Sequence, residues 1–236
     1  MSPIRLNLAC GGVVLGGWQN LDYESRVPGV IHADLLKGIP YPDAVVDEIL
    51  ASHFLEHLKL RTEAVPFLQE CERVLKPGGV LSLITPDFAM LNRVRWFDYH
   101  FNRFRNRREQ RRWLVGATFG EGRTAWDYHV SGWYRERYED LGRGSISVDP
   151  AAGPPIPVWT EMELVRTSTL WRSHSPYEIT AIYRKRGADF HEPSWTTEMA
   201  VIGHGPLLRP FGYTRRRLPL MVRTWIRSRL GRKVLP

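Results

Sequence analysis

The sequence has few cysteines and no long apolar run, and each shortage excludes a class of protein. Its 236 residues include two cysteines, Cys10 and Cys71, too few for a disulfide framework or a cysteine-rich metal cluster. No segment approaches the ~20 apolar residues that a transmembrane helix needs. The chain passes from Met1 almost directly into a strand-like segment, which leaves no room for a signal peptide. These features predict a reduced, cytoplasmic protein.

Acidic residues are scarce at one end of the chain. The net charge is +8, and residues 187–236 carry nine basic and three acidic side chains, so this end supplies most of the excess. The remaining residues are close to neutral, and their length suits one α/β domain. We therefore predict a domain over residues 1–186 and a basic C-terminal extension over residues 187–236.

Short apolar segments separated by turn residues organise the first 90 residues. A helix is predicted over residues 62–75, because apolar side chains recur there near helical spacing. It should end at the breaker sequence Lys76-Pro77-Gly78-Gly79. The same patterns predict strands at residues 4–8, 19–21, 30–33, 48–51 and 80–85.

The later part of the chain is less regular. A helix is predicted over residues 134–141 and a strand over residues 145–148, followed by a proline-rich irregular stretch at residues 149–158. Residues 163–171 and 177–184 could form a hairpin that turns at residues 173–176. Whether the sixth strand lies at 145–148 or at 163–171 is left open.

Two features at strand ends indicate a ligand site. Ala9-Cys10-Gly11-Gly12 follows the first strand, and glycine lets a backbone turn approach a ligand closely. Asp22 follows the second strand, where nucleoside-binding folds bind ribose hydroxyls. The alternative for the glycine turn is that it docks a helix on the sheet. The alternative for Asp22 is a solvated aspartate in a loop.

Seven segments occur in the order and at the intervals of one family: LNLACGG, GWQNLDYE, ADL, IPYPDAVVDEI, ASHFLEHL, ECERVLKPGG and LSLITPDF. Together they resemble the class I S-adenosylmethionine-dependent methyltransferases, in the small-molecule branch that often accompanies sugar- and polysaccharide-building enzymes. The resemblance is strong over residues 4–88, loose over 89–186 and absent beyond. It implies an α/β fold: a Rossmann-like, doubly wound sheet with a helical, aromatic-rich insertion at residues 88–140.

The resemblance also implies a cofactor, S-adenosylmethionine, with S-adenosylhomocysteine as product. The turn after the first strand would hold the methionine part, Asp22 the ribose, and Asp34 with Leu35 the adenine. The implied cofactor residues are Asn7, Ala9, Cys10, Gly11, Asp22, Asp34, Leu35 and Ser52. Ala9 replaces a usual glycine, which is tolerable if its φ is negative. The short interval from Gly11 to Asp22 predicts a trimmed first helix.

Residues 96–138 hold twelve of the 27 aromatic side chains. Such clustering favours a lid or acceptor platform, because aromatic faces suit the flat CH faces of sugar rings. The alternative is the core of a helical subdomain. Six arginines within residues 103–112 form either a solvated helix face or a grip for a phosphate or acidic acceptor.

An acceptor hydroxyl needs a group that removes its proton, and histidine suits this role near neutral pH. We predict His129 as general base and His53 as a positioning residue, or the reverse, the alternative being structural hydrogen bonds. His57, beside Glu56, is interpreted as structural. No metal site is predicted, because Asp47, Asp87 and Asp127 lie far apart in sequence, although magnesium remains compatible.

The predicted function is O-methylation of a hydroxyl on a saccharide or glycosylated small molecule. Two alternatives stay open: an RNA methyltransferase or binder that uses the basic extension, and a cofactor-binding regulator without turnover. Residues 220–230 could form a basic amphipathic helix that packs on its own domain or a second subunit, or lies on a membrane surface. A homodimer is compatible with such a helix, and nucleic acid is the least favoured partner.

Overall fold

The computed structural model describes residues 2–92, 115–116, 118–120, 127–148, 151, 153–169 and 178–195. Nine strands are found there: β1 Arg5–Leu8, β2 Gln19–Asp22, β3 Val30–His32, β4 Val46–Ser52, β5 Leu75–Pro86, β6 Ser145–Ile146, β7 Ile156–Pro157, β8 Met162–Thr169 and β9 Glu178–Lys185. The helices include α1 Val65–Val74 and α2 Arg135–Leu141, 3-10 turns at Leu35–Lys37 and Leu55–His57, and a π-helical turn at Leu60–Ala64.

Seven of these strands form one sheet in the order β3-β2-β1-β4-β5-β9-β8. β1 to β5 are parallel, whereas β9 runs antiparallel to both β5 and β8. The chain builds outward from β1 through β2 to β3 and then returns to the other side of β1 with β4. The strand order therefore reverses between β1 and β4, where open α/β sheets bind ligands. The structure confirms the predicted Rossmann-like sheet.

No helix joins β1 to β2 in residues 9–18, which confirms the predicted trimming. Two buried asparagines organise this segment instead. Asn7 Nδ2 donates to Val13 O at 2.8 Å and to Asn20 Oδ1 at 2.9 Å. Asn20 Oδ1 also accepts from Leu15 N, and its amide nitrogen donates to the carbonyls of Leu15 and Trp18. These bonds satisfy backbone groups that a helix would otherwise pair.

The predicted end of the helix is confirmed, because α1 stops at Val74, just before the Lys76–Gly79 segment. The predicted start of the strand at residue 80 is wrong, because β5 begins at Leu75 and runs through that segment. Leu75 pairs with Val46, and the register then shifts between Val46 and Glu48. Gly78 has φ +81°, and a Cβ on Gly79 would lie 2.9 Å from Leu75 Cδ2. The two glycines therefore allow the irregular start of β5 and do not form a loop.

The hairpin prediction is confirmed by β8 and β9, although the turn predicted at residues 173–176 lies outside the described residues. β8 supplies the outer strand of the large sheet, which settles the position of the sixth strand. β6 pairs instead with β7 in a separate two-stranded sheet. β7 falls in the stretch that was predicted to be irregular.

Residues 187–195 pack on the sheet. Trp195 is buried, and its Nε1 donates to Ser82 Oγ at 2.8 Å. By compactness the chain divides into Met1–Thr196 and Thr197–Pro236. The predicted helix at residues 220–230 and the arginines of residues 103–112 lie outside the described residues. None of the helices in the described ranges has the length and apolar character needed to cross a bilayer.

Candidate active site

The predicted cofactor residues follow the carboxyl ends of β1, β2, β3 and β4. Because these strands are parallel and hydrogen-bonded as neighbours, their ends lie along one edge of the sheet. Backbone bonds tie the segments together: Cys10 N donates to Leu21 O at 3.1 Å, and Ala33 N to Asp22 O at 3.0 Å. The sheet therefore gathers residues that are up to about 45 positions apart in sequence.

The turn after β1 places an alanine in the left-handed region of backbone space. Ala9 has φ +51° and Gly11 has φ +54°. An alanine at this position is tolerable if its φ is negative, and the observed positive φ contradicts this condition. A left-handed alanine costs roughly 1–2 kcal/mol because its Cβ crowds the following carbonyl. A Cβ built on Gly11 or Gly12 would meet no atom within 4 Å, so the turn borders open space.

Asp22 joins the turn to the segment that follows β2. Its Oδ2 accepts from Gly11 N at 2.9 Å, and its Oδ1 accepts from Glu24 N at 2.8 Å and Ser25 N at 2.7 Å. An ionised carboxylate offers about four lone-pair sites, so three backbone bonds leave room for another donor. Asp22 thus positions the turn and keeps acceptor capacity.

Three other predicted cofactor residues point into the protein. The Asn7 side chain is occupied by the loop network described above, and Leu35 lies in the hydrophobic core. Cys10 is buried, and burial, followed by the nearby charge of Asp22, raises the pKa of its thiol to about 11. These buried side chains would not contact a cofactor themselves; they would hold in place the backbone that borders it.

Asp34 caps the 3-10 turn after β3. Its Oδ1 accepts from Leu36 N at 3.2 Å, and its Oδ2 forms an ion pair with Lys37 Nζ at 3.0 Å. The hydrogen bond with Lys37 contributes most to lowering the pKa of this carboxyl. Beside Asp22 lies an open cavity of about 500 Å³. It is lined by Tyr23, Glu24, Ser25, Arg26 and His32.

His53, at the end of β4, is held between two carboxylates. Its Nδ1 lies 3.1 Å from Glu56 Oε1, and its Nε2 lies 3.1 Å from Glu178 Oε1. Desolvation lowers the pKa of His53, but the hydrogen bonds and charges of Glu178 and Glu56 outweigh it and raise the pKa to about 10. At neutral pH both ring nitrogens therefore carry protons, which suits a positioning role and does not suit a general base.

His129 lies on the other side of Glu56. A carboxylate oxygen of Glu56 and one ring nitrogen from each of His57 and His129 lie within 4.8 Å of one another. The two imidazole rings meet edge to face, with centroids 4.9 Å apart. His57 is therefore part of a histidine cluster with His129, whereas Glu56 hydrogen-bonds to His53.

Exposed apolar side chains lie beside this cluster. Phe119 is 56% exposed and Tyr128 is 55% exposed. The backbone links both to the histidines: His129 N donates to Phe119 O at 3.1 Å, and His57 Nδ1 lies 3.2 Å from Tyr128 O. By contrast, Trp133 and Tyr138 are buried and stack at 5.2 Å. The aromatic segment thus contributes both to the core and to the surface, and the aromatic residues of 96–113 and Trp126 lie outside the described residues.

Comparisons with known proteins find that part of this domain is similar to methyltransferases. The family model described as "Methyltransferase domain" matches residues 18–83. The matched segment is a little over a quarter of the chain. A probable S-adenosylmethionine-dependent methyltransferase of Mycolicibacterium smegmatis is 41% identical over 76 residues, which are 28% of each protein. The matched segment therefore spans about a quarter of that relative.

Solved structures of methyltransferases resemble this chain at low identity. A SAM-dependent methyltransferase from Aquifex aeolicus is 14% identical over 78% of this chain and 82% of its own, with a TM-score of 0.40. The 1,6-didemethyltoxoflavin-N1-methyltransferase of Burkholderia thailandensis is 12% identical over 78% and 72%, with a TM-score of 0.45.

The sequence did not reveal two residues of the candidate site. Glu56 was interpreted only as a neighbour of His57, although its i,i+3 spacing from His53 allows the contact seen here. Glu178 starts β9, which is antiparallel to β5, and Pro86 pairs with Glu178. This pairing brings the amino end of β9 to the carboxyl edge of the parallel strands. No local sequence signal marks Glu178 for this position.

Proposed function

We propose that this chain is an S-adenosylmethionine-dependent methyltransferase that acts on a hydroxyl of a saccharide or glycosylated small molecule. The observation that carries the proposal is the bond between Gly11 N and Asp22 Oδ2 at 2.9 Å. It joins a glycine turn bordered by open space to an acidic residue at the end of the next strand. This pairing fits a nucleoside-linked ligand at the point where the strand order reverses.

The residues of the cleft fit the cofactor. The backbone of Ala9–Gly11 would border its methionine part, Asp22 would accept from ribose hydroxyls, and Asp34 would lie at the adenine end. Ser52 and His53, at the end of β4, would face the reacting end. When bound, the cofactor supplies a methyl group on a positively charged sulfur, and the task of the protein is chiefly orientation and exclusion of water.

The acceptor side of the proposal draws on the surface around the histidine cluster. Phe119 and Tyr128 present exposed aromatic area beside His57 and His129. Aromatic faces with polar groups at their edges suit sugar rings. The resemblance to enzymes that accompany saccharide biosynthesis supports the same acceptor class.

We assign to His129 the removal of the proton from the acceptor hydroxyl. His53 is held by Glu56 and Glu178 at both ring nitrogens, so we propose it as a positioning residue. His129 is half-buried at the same end of the site and is proposed as the general base. The roles of both histidines remain proposals.

Calorimetric titration of S-adenosylmethionine into wild type and Asp22→Asn tests the cofactor site. We expect saturable binding to wild type and at least about tenfold weaker binding to the variant, which corresponds to about 1.4 kcal/mol. The reason is that asparagine loses one acceptor oxygen and presents an amide donor towards Gly11 N.

Asp47→Asn is the matched control. Asp47 Oδ2 accepts from the backbone nitrogen of Ile4 at 2.7 Å, but at the opposite edge of the sheet. Its affinity for S-adenosylmethionine should equal that of wild type. Absence of binding to wild type, or equal weakening in both variants, would contradict the proposed site. If the expected binding is found, a screen of sugars, scored by release of S-adenosylhomocysteine, would identify the acceptor.

A further inference from the structure

Three side chains near the acceptor end carry the donor atoms of a metal site. Glu56 comes from the turn after β4, His57 follows it directly, and His129 comes from a segment more than 70 residues later. One donor atom from each lies within 4.8 Å of the other two. Ligand atoms about 2.0–2.2 Å from a tetrahedral zinc stand roughly 3.4 Å apart, so a small contraction would bring this set to coordination distance.

The carboxylate of Glu56 has one oxygen that the protein does not use. Glu56 is only 3% exposed. Its Oε1 bonds to His53, whereas its Oε2 is buried and has no hydrogen-bond partner among the residues that the structure describes. Buried carboxylate oxygens are normally paired, because losing water without a replacement is unfavourable. An ion at Oε2 would supply the missing partner.

The hydrogen bond made by His57 leaves a lone pair available. Its Nδ1 lies 3.2 Å from the carbonyl oxygen of Tyr128. A carbonyl accepts only, so Nδ1 carries the hydrogen, and in the neutral ring Nε2 then carries the lone pair. Metal-binding histidines commonly donate their second nitrogen to a backbone carbonyl in this way, since the bond fixes both the tautomer and the ring orientation.

The two segments are joined by backbone bonds. Val130 N and Ser131 N donate to Glu56 O at 2.8 and 3.1 Å, and Ser131 Oγ donates to Leu55 O at 2.9 Å. The spacing of the three donors is therefore held by the fold. Preorganisation of this kind reduces the ordering needed for an ion to bind.

We propose that Glu56, His57 and His129 bind a divalent metal ion of the zinc class. Two imidazoles and one carboxylate are the donors that zinc and neighbouring transition metals take, whereas magnesium and calcium prefer oxygen alone. Three protein ligands leave a position for a further oxygen donor.

The consequence for catalysis rests on the proposed function. A hydroxyl coordinated to such an ion loses its proton more readily. In the metal-bound protein His129 would be a ligand, and its role as general base would apply only to the metal-free protein.

Zinc binding by the full-length, tag-free protein tests the proposal without cofactor or acceptor. After treatment with a chelator and its removal, we expect one equivalent of Zn²⁺ to bind in competition with a chromophoric chelator. Magnesium in large excess should not compete. Co²⁺ in place of zinc should produce visible absorption bands that depend on both histidines.

His57→Ala and His129→Ala should each weaken zinc binding at least about 100-fold, since each removes a ligand, which costs more than loss of a supporting hydrogen bond. Both histidines are half-buried, so these variants should fold, and circular dichroism would verify it. His191→Ala, which removes an exposed histidine beside Glu48, is the matched control and should bind like wild type.

Absence of stoichiometric zinc binding, or equal affinity in all variants, would overturn the metal site. Because no methyl transfer is measured, this outcome is distinct from failure of the proposed function. If zinc binds but S-adenosylmethionine does not, the metal site stands and the proposed function fails.

Discussion

At the residue scale, Ala9 lies in the turn that is proposed to border the cofactor, and its backbone is strained by a positive φ. Its φ of +51° is shared by Ala44, which has φ +53° in the turn before β4. Glycine adopts such values without the steric cost of a Cβ, while it adds entropy to the unfolded chain. The two alanines therefore carry similar strain, but only Ala9 lies in the turn proposed to border the cofactor.

Replacing each alanine by glycine separates stability from binding. We expect Ala9→Gly and Ala44→Gly each to raise the free energy of unfolding by up to about 1 kcal/mol, because relief of strain exceeds the entropy cost. Urea denaturation measures this. Only Ala9→Gly should also change the affinity for S-adenosylmethionine. A loss of stability in both variants would show that the unfolded-state entropy is the larger effect.

At the element scale, the segment after β9 packs against the sheet. Trp195 covers Ser82 in the middle of β5, and nearby Ser194 bonds to Glu48 Oε2 through its backbone nitrogen and its hydroxyl. A residue beyond the last strand therefore contributes to the core of the domain.

Trp195→Ala should lower the free energy of unfolding by about 3–5 kcal/mol, through lost apolar burial and the cavity that remains. Trp195→Phe retains most of the burial and leaves Ser82 Oγ without its donor, so a smaller loss of about 1–3 kcal/mol is expected. Guanidinium denaturation followed by circular dichroism would measure both. Equal small effects in the two variants would mean that the contact contributes little to stability.

At the scale of the whole molecule, ion pairs make stability depend on pH. Glu70, on α1, accepts from Arg73 through both carboxylate oxygens at 2.7 Å and from Ile39 N at 2.9 Å. The hydrogen bond from Arg73 is the main cause that lowers the pKa of Glu70. This pair connects the helix to the segment that leads into β4.

A lowered pKa in the folded protein implies that the unfolded chain binds the proton more tightly. The stabilisation by Glu70 is therefore present above the ordinary glutamate pKa of about 4.3 and is lost as the pH falls through the folded value. We expect thermal stability to decline below about pH 4.5 in wild type.

The decline should be shallower in Glu70→Gln, whose side chain does not titrate. Arg73→Gln should make it shallower as well, because the main cause that lowers the pKa of Glu70 is then removed and only the bond from Ile39 N remains. Thermal melts between neutral pH and pH 3 would test this. Identical slopes in all three proteins would contradict the assignment.

The sequence by itself determined the parallel strands, and its resemblance to a family indicated the positions of the proposed cofactor residues. Short apolar strands, each followed by a glycine turn or an acidic residue, indicate the sheet and its ligand edge because these signals are local. The same local signals predicted Asp22 and the missing first helix. They misplaced the start of β5, since pairing of Leu75 with Val46 outweighs the turn preference of Pro77 and Gly78.

Only the tertiary structure decided how the acceptor end is assembled. Glu178 reaches His53 because β9 is antiparallel to β5, and His129 reaches Glu56 because Val130 and Ser131 bond to its carbonyl. Both contacts join residues more than 70 positions apart, and their closeness depends on strand direction and loop docking. Neither property is encoded in a local run of residues, which is why the ionised state of His53 and the cluster of Glu56, His57 and His129 emerge only from the folded chain.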